Sequence, residues 1–592
     1  MPERKIGGFA HLLQALAHAA AFPSQSLSWF DGRGRLQQTL SYAQLLDKAR
    51  SYAAQLARRV EAVPSHADGM GPRLGIVATT GPDFLPAFCA SQWLGGVPCP
   101  LPAPGPLQDF SRYTQALLNM CRAAGISLVM GPRPLLAQLQ ADAQWDVSTL
   151  SFEELAAETA DGLSGSPPMP QAVAPQAIAY VQFSSGSTGQ PKGVAISHAA
   201  LMHNIDAILQ AGMALTAQDR AFSWLPYYHD MGLVGFVLAP LCAQVSVDYL
   251  APSAFARRPQ LWPGLMAERG STITYAPNFA WPMAARSAKL VDAHARLTGL
   301  RIAGVGGDYV DYAALQAFAE AFAPHGFVAD AFKPSYGLAE ATLAVTMSDK
   351  PFDSLPAYVH IDGRQRVRAV AADDASAKPL VDCGRPLPGW TLQVRDAAGQ
   401  KLPPEVEGDI WLQGPALLSG YFSAGVLQPV PASQGLATGD RGFLAAGGSL
   451  YVTGRSKDLI VIHGRNVWPS DVEAAASQCA GIAQEDMQLL HARSPAMGQT
   501  ALVLLLHEKA LRQSPEPQAL VLAAAAATAV AGGAVRACVV ANGSIAYTSS
   551  GKKARAWTLA RFEQGQIPIL ADSDAAPASG LSMLSPPSHQ HH

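Results

Sequence analysis

The sequence predicts an α/β protein. Layered α/β subdomains and a β-rich subdomain make up a large N-terminal domain over residues 1–455, and a small α+β C-terminal domain follows over residues 456–570. Three observations carry that expectation. Along most of the chain, short apolar runs alternate with segments of helical spacing, the pattern of largely parallel sheets layered with helices. After about Asp382, short strands separated by Gly/Pro turns mark a β-rich piece. Beyond Gly454–Asp458 (GRSKD) a compact mixture of strands and helices takes over.

The elements read in order as follows. Residues 1–22 carry Gly7-Gly8 soon after Lys5, and His11, Gln14 and His18 interrupt the apolar stretch, so an amphipathic helix is expected rather than a cleaved signal. Leu74–Ala78 reads as a strand, Phe84–Leu94 as a helix, and Gly95-Gly96-Val97-Pro98 as its break. Ala177–Phe183 is a strand feeding a Gly/Ser-rich loop, and Ala199–Leu209 resumes helical spacing. Thr272–Tyr275, Gly299–Val305 and Phe327–Ala331 continue the strand series, and Leu392–Arg395 and Gly408–Gln413 belong to the β-rich piece. In the C-terminal domain, the strand Leu459–His463 precedes a helix starting near Pro469. Ala501–Leu506 and Arg536–Val540 then flank an Ala-rich helix. Residues 571–592, rich in Ser, Pro, Ala and His, read as a disordered tail.

Composition narrows the function. Of 592 residues, 49% are hydrophobic and 15% charged, which excludes a disordered chain and supplies ample core. The formal charge of −3 argues against a nucleic-acid binder. Two uncharged runs, Met231–Val247 and Ala519–Val535, are interrupted by Pro240 and by Gly532-Gly533, so stable membrane insertion is not expected. The 7 cysteines show no CxxC pair or zinc spacing, which suits free thiols in a cytoplasmic protein.

The chemistry-bearing stretch is Ser184–Gly193, SSGSTGQPKG, directly after a predicted strand. Small residues let backbone N–H groups and hydroxyls approach an anion, and Lys192 adds positive charge. The GxxxxGK[ST] pattern is absent, so a P-loop ATPase is excluded. Four further stretches follow: Ser335–Glu340 (SYGLAE), Ala437–Asp440 (ATGD), Gly454–Asp458 (GRSKD) and Thr548–Arg555 (TSSGKKAR). In this order they resemble the motifs of the adenylate-forming enzymes, which include acyl-CoA synthetases, nonribosomal adenylation domains and luciferases.

The resemblance implies ATP and Mg²⁺. Ser185, Gly186, Ser187, Thr188, Gly189 and Lys192 would hold the β- and γ-phosphates. Glu340, with Thr188, would bind the metal. Gly307, Asp308, Ser335, Tyr336 and Gly337 would form the adenine side, with the Tyr336 ring offering a π-face. Asp440 would accept the ribose hydroxyls, and Arg455 would contact ribose or phosphate. Lys552 would offset charge at the α-phosphate and acyl carboxylate, and Lys457 would be the hinge.

The surrounding words resemble one branch, the fatty acyl-AMP ligases. They are Trp224–Gly235 (WLPYYHDMGLVG), Ala276–Trp281 (APNFAW), Gln182-Phe183 and Gly464–Glu473 (GRNVWPSDVE). That branch activates fatty acids and passes them to the 4′-phosphopantetheine thiol of an acyl carrier protein or carrier domain. The alternatives are an acyl-CoA synthetase, with coenzyme A as acceptor, and a catalytically silent relative. On this resemblance His229 gates or shields the acyl carboxylate, and Asp230, Met231, Gly232, Asn278, Phe279 and Gly306 line the acyl pocket. Residues 347–380 correspond to a branch-specific insertion, expected to hold a small hairpin. Three departures stand out. Gly306–Val310 reads GGDYV where the branch has GAEPV, Lys553 replaces an apolar residue, and Ala546 replaces a common proline.

Overall fold

The structure is a computed structural model that describes residues 3–60, 70–105, 109–157, 173–185, 191–374, 377–462, 465–493, 500–511, 516–547 and 553–573. The Gly/Ser loop from Gly186 to Gln190, the stretch Thr548–Lys552 and residues 574–592 therefore lie outside it. The chain divides into two compact units, Met1–Thr453 and Gly454–His592.

The first unit is built on a mixed sheet of nine strands among the described residues. Its middle is parallel: Ser246–Leu250, Arg220–Ser223, Ile273–Ala276, Ile302–Val305 and Phe332–Gly337 lie side by side in that order. These strands are short, and every residue of Ser246–Leu250, Ile273–Ala276 and Ile302–Val305 is buried, as parallel strands covered on both faces require, while Phe332–Gly337 alternates buried and half-buried residues. Ala344–Met347 then returns antiparallel to Phe332–Gly337, with Ser335 opposite Met347. A second, fully parallel sheet joins Val97–Leu101, Arg73–Val77, Leu128–Gly131 and Ser148–Ser151. A third carries the loop region: Ile178–Ser185 pairs with Pro191–Ser197, which pairs with Gly420–Ser423. The β-rich piece is an antiparallel sheet of Thr391–Arg395, Gly408–Gln413, Leu436–Leu444 and Leu450–Arg455.

Phe327–Ala331 is not a strand. Gly326 adopts a left-handed φ of +77° that ends the preceding helical turns, Phe327 N–H donates back to Phe322, and the strand begins only at Phe332. The inserted segment holds the expected hairpin, Pro356–Ile361 with Val367–Ala369, and adds a third antiparallel strand, Lys378–Val381, on its other edge. Met347 belongs to the main sheet. The inserted sheet packs Val359, Val367 and Leu380 against Phe443 and Tyr451 of the β-rich piece. Buried Asp382 fixes its base, paired with Lys350 at 2.6 Å.

The N-terminal helix Leu12–Ala19 buries Leu12, Leu13, Ala15, Leu16 and Ala19, the face its spacing predicts. No helix among the described residues is long and apolar enough to cross a membrane. Met231–Val247 resolves into helical turns and the start of a buried strand.

The second unit has a four-stranded sheet, Met487–Arg493, Thr500–His507, Val535–Val540 and Ile569–Asp572. The helices Pro469–Ala480 and Glu516–Ala531 pack on it through alanines that let the backbones approach. Ala571 and Asp572 thus belong to a strand and not to the tail.

Candidate active site

Short loops at the carboxyl ends of the parallel strands build the site, the usual place for a ligand on such a sheet. After Ile302–Val305 the chain turns through Gly306 and Gly307. A β-carbon at Gly306 would meet the Ser335 hydroxyl at 2.7 Å, and Gly307 has a φ of +77°, so glycine suits both. Asp308 is exposed and accepts the Tyr309 N–H at 2.9 Å. The next strand delivers Ser335, Tyr336 and Gly337 beside them. These loops open onto a cavity of about 480 Å³ of atom-free space, its mouth included. Gly306, Gly307, Ser335, Tyr336 and Gly337 line it on this side, with Asp230 and Met231.

Tyr336 is buried, and its hydroxyl donates to Asp440 Oδ2 at 2.8 Å. Asp440 is also buried, on the strand Leu436–Leu444, and its N–H donates to the Thr438 hydroxyl. A carboxylate has roughly four acceptor sites, and Tyr336 uses one of them. The pair couples an aromatic cavity wall to a carboxylate of the kind that recognises a diol.

Glu340 sits on the short turn Ala339–Ala341. Its backbone C=O accepts Leu418 N–H at 2.8 Å, and its Oε1 lies 3.5 Å from the Tyr421 hydroxyl. Immediately after it, buried Thr342 has φ +67° and ψ −59°, and Leu343 N–H donates to Ala341 C=O at 2.8 Å. This is a γ-turn of the rare positive-φ form, strained for a β-branched residue. The Thr342 hydroxyl, donating to Ala416 C=O at 2.8 Å, holds it in place.

Tyr421 is the residue that the motif reading missed. Its strand pairs with Pro191–Ser197, Tyr421 facing Val194, so the Lys192 ammonium lies 5.4 Å from its ring centroid. One tyrosine thus stands between the cation and the carboxylate. Burial, reinforced by Glu340, raises its pKa, which keeps the hydroxyl a donor.

His229 Nδ1 lies 2.6 Å from Asp230 Oδ1, and that same oxygen accepts Met231 N–H at 2.7 Å. Asp230 and Met231 line the cavity; His229 does not. Gly232 is set in a tight turn, where a β-carbon would sit 2.1 Å from the Pro226 carbonyl oxygen. Asn278 and Phe279 are not among the lining residues either. The Asn278 side chain accepts Asp311 N–H at the start of the next helix, and the Phe279 ring meets Trp224 edge-on at 6.2 Å.

In the second unit, Arg455 ends the strand Leu450–Arg455 and Lys457 lies in the short turn Ser456–Asp458. Gly454 packs against the Trp468 ring, where a β-carbon would approach to 2.5 Å. Gly186, Ser187, Thr188, Gly189 and Lys552 lie outside the described residues, and of Ser185 only the backbone pairing with Pro191 is described. Lys553, next to Lys552, is engaged elsewhere. Its ammonium donates to buried Glu473 at 2.6 Å and to Gln484 C=O at 2.8 Å. Arg555 shares the same carboxylate at 2.5 Å.

No group of three or more His, Cys, Asp or Glu among the described residues could hold a metal ion. A lone carboxylate such as Glu340 still suits Mg²⁺, which keeps several waters and is commonly held by one or two carboxylates plus substrate phosphates.

Comparison with known proteins gives the family. A family model described as AMP-binding enzyme matches residues 17–422. A Caulobacter vibrioides protein, provisionally named an acyl-CoA synthetase, is 38% identical over 80% of this chain and 81% of its own. The long-chain-fatty-acid–AMP ligase FadD32 of Mycolicibacterium smegmatis is 31% identical over 76% of this chain and 73% of its own. A solved structure from a study of fatty acyl-adenylate ligases from E. coli and L. pneumophila superposes with a TM-score of 0.83 at 32% identity, covering 95% of this chain and 99% of that one. The cavity beside Tyr336 and Asp440, the motif order and these likenesses converge: this chain is an adenylate-forming ligase of the AMP-binding enzyme family, in its fatty acyl-AMP ligase branch.

Proposed function

We propose that the protein activates a medium- or long-chain fatty acid to its acyl-adenylate and passes the acyl group to the phosphopantetheine thiol of an acyl carrier protein, in the cytoplasm. The observation that carries this reading is one cavity with two kinds of wall. Tyr336 joined to Asp440 stands on the polar side, and Met213, Tyr275, Phe236 and Met347 line the apolar side. A nucleotide and an alkyl chain can meet there.

In the first step a carboxylate oxygen of the fatty acid bonds to the α-phosphorus of ATP. The bond from that phosphorus to the bridging oxygen breaks, and pyrophosphate leaves with the electron pair. Asp440 and Arg455 orient the ribose, Tyr336 and the Gly306–Asp308 turn bound the adenine, and His229 with Asp230 sits at the junction with the acyl chain. Lys192, with Ser185, Gly186, Ser187, Thr188 and Gly189, holds the phosphates, and Lys552 faces the charge developing at the α-phosphate. Mg²⁺, held by Glu340 and Thr188, would neutralise phosphate charge. In the second step the thiol sulfur bonds to the acyl carbon, the C–O bond to AMP breaks, and the thiol proton is lost. Residues 456–570 act as the mobile domain and turn at Lys457 between the two steps.

Fatty-acid-dependent exchange of labelled pyrophosphate into ATP tests the first step, and Lys552→Ala should abolish it. Exchange at wild-type rate in Lys552→Ala removes that lysine from the mechanism. For the acceptor, thioester formation on holo carrier protein with none on coenzyme A supports the reading. The name of the Caulobacter relative favours the second reading, transfer to coenzyme A, and robust acyl-CoA formation without carrier loading would establish it.

A further inference from the structure

The register places the residues on the apolar side of the cavity, with Met347 across from Ser335. Gly306, Gly307 and Tyr336 mark the carboxyl-terminal ends. Tyr275 stands opposite Gly304, two residues back from Gly306. Its ring lies flat over that glycine, where a β-carbon would sit 2.0 Å from Cζ. From there its hydroxyl reaches across to Met347 Sδ at 3.7 Å. Tyr275 and Met347 are both buried and both line the cavity, as does Met213.

Behind Met213 the sheet ends in charge. Arg301 donates to Met213 C=O at 2.9 Å and to Asp219 Oδ1 at 2.8 Å, and Thr272 donates to the same carboxylate at 2.7 Å. These residues flank the amino-terminal ends of the strands Arg220–Ser223, Ile273–Ala276 and Ile302–Val305. Extending the cavity past Met213 would push an alkyl chain into a hydrogen-bonded ion pair, which is costly to disturb. The cavity must also hold part of the nucleotide, since Tyr336 and Gly306 line it beside Met213, Tyr275 and Met347.

We propose that Tyr275 and Met347, with Met213 behind them, form a stop that sets acyl-chain length, and that the enzyme therefore activates medium-chain acids such as decanoate in preference to hexadecanoate. This rests on the assignment of the cavity as the acyl site under Proposed function. Gly212 supplies an independent handle. A β-carbon there would lie 2.5 Å from Met347 Sδ, the end of a flexible side chain, and would drive it into the cavity.

The test is pyrophosphate exchange with the full-length enzyme across acids from hexanoate to octadecanoate, read as ratios of kcat/KM so that a general loss of active enzyme cancels. Wild type should favour decanoate over hexadecanoate by about tenfold or more, the scale of one or two misfitted methylenes. Tyr275→Ala and Met347→Ala should each move the optimum to longer acids, and Gly212→Ala to shorter ones. Tyr275→Phe, which keeps the ring, should leave the profile unchanged. Met347→Ala and Gly212→Ala decide the matter if Tyr275→Ala does not fold. A wild-type preference for hexadecanoate overturns the proposal, as do ratios that no variant moves while exchange itself persists. Exchange with none of the acids would overturn the acyl-adenylate reading as well.

Discussion

The Tyr336 hydroxyl donates to the Asp440 carboxylate at 2.8 Å, across 104 residues of sequence, so the SYGLAE and ATGD motifs are one structural unit. Tyr336→Phe keeps the ring against the cavity and removes the tether. The expected result is an increase in KM for ATP of about tenfold or more, the value of one hydrogen bond to a charged group, with kcat little changed. Steady-state kinetics with varied ATP check it.

Tyr421 bridges Lys192 and Glu340, and its two contacts are separable. Tyr421→Phe retains the ring under the ammonium and loses only the long hydroxyl contact, so a few-fold fall in the exchange rate is expected. Tyr421→Leu loses both, and the fall should be at least tenfold. Equal effects of the two variants would show that the ring–cation contact contributes nothing.

Glu473 is buried and shared by Lys553 and Arg555. Burial pushes its pKa up, but the two cations outweigh burial and hold it below the ordinary 4.5. A carboxylate depressed in the folded state stabilises the fold above its unfolded pKa, and that stability is lost as pH falls through the folded value. Burial lowers the Lys553 pKa from its ordinary 10.5, and Glu473 opposes that shift. The second unit should therefore lose stability below about pH 4.5, and Glu473→Gln should flatten that dependence in thermal melts taken across pH. At neutral pH Glu473→Leu strands two buried cations and should cost about 3 kcal/mol or more, whereas Lys553→Leu leaves one intact pair and should cost less.

Tyr309, which stands where the branch has proline, donates its hydroxyl to Pro379 C=O at 3.0 Å and so ties the Gly306–Asp308 turn to the inserted sheet. Tyr309→Phe should loosen that sheet, seen as faster amide exchange at Lys378–Val381, with global melting almost unchanged. Protection identical to wild type would mean that the packing against Phe443 and Tyr451 suffices.

Asp219, paired with Arg301, has its pKa lowered to about 2: burial would raise it, but Arg301, Thr272 and Thr216 prevail. Its contribution is fully present above the unfolded value of 3.8 and is lost as pH falls towards 2. Asp219→Asn should lower stability of the first unit by about 2 kcal/mol at pH 7, and the deficit should shrink in acid.

Motifs made of consecutive residues were legible in the sequence. The strand before the Gly/Ser loop, the strand within Gly299–Val305 and the change to a β-rich texture all follow local pattern, and the structure has strands there. What escaped the sequence was long-range. Tyr421 reaches Lys192 because two distant strands pair, and nothing near Tyr421 announces it. Lys553 is a departure from the branch pattern beside Lys552, and only the fold shows its ammonium committed to a carboxylate 80 residues away. Phe327–Ala331 is apolar enough for a strand, yet the left-handed Gly326 and the aromatic cluster around Phe318 and Phe332 claim it for a turn. Asn278 and Phe279 sit in a motif beside the pocket, but a cap and a ring contact turn them from it.

A crystal structure of the enzyme with a non-hydrolysable decanoyl-adenylate mimic tests the central claim most directly. The account predicts ribose hydroxyls on Asp440, the adenine against Tyr336 and the Gly306–Asp308 turn, and the alkyl chain ending against Tyr275 and Met347. A mimic bound with its sugar away from Asp440, or with its chain outside this cavity, would contradict it.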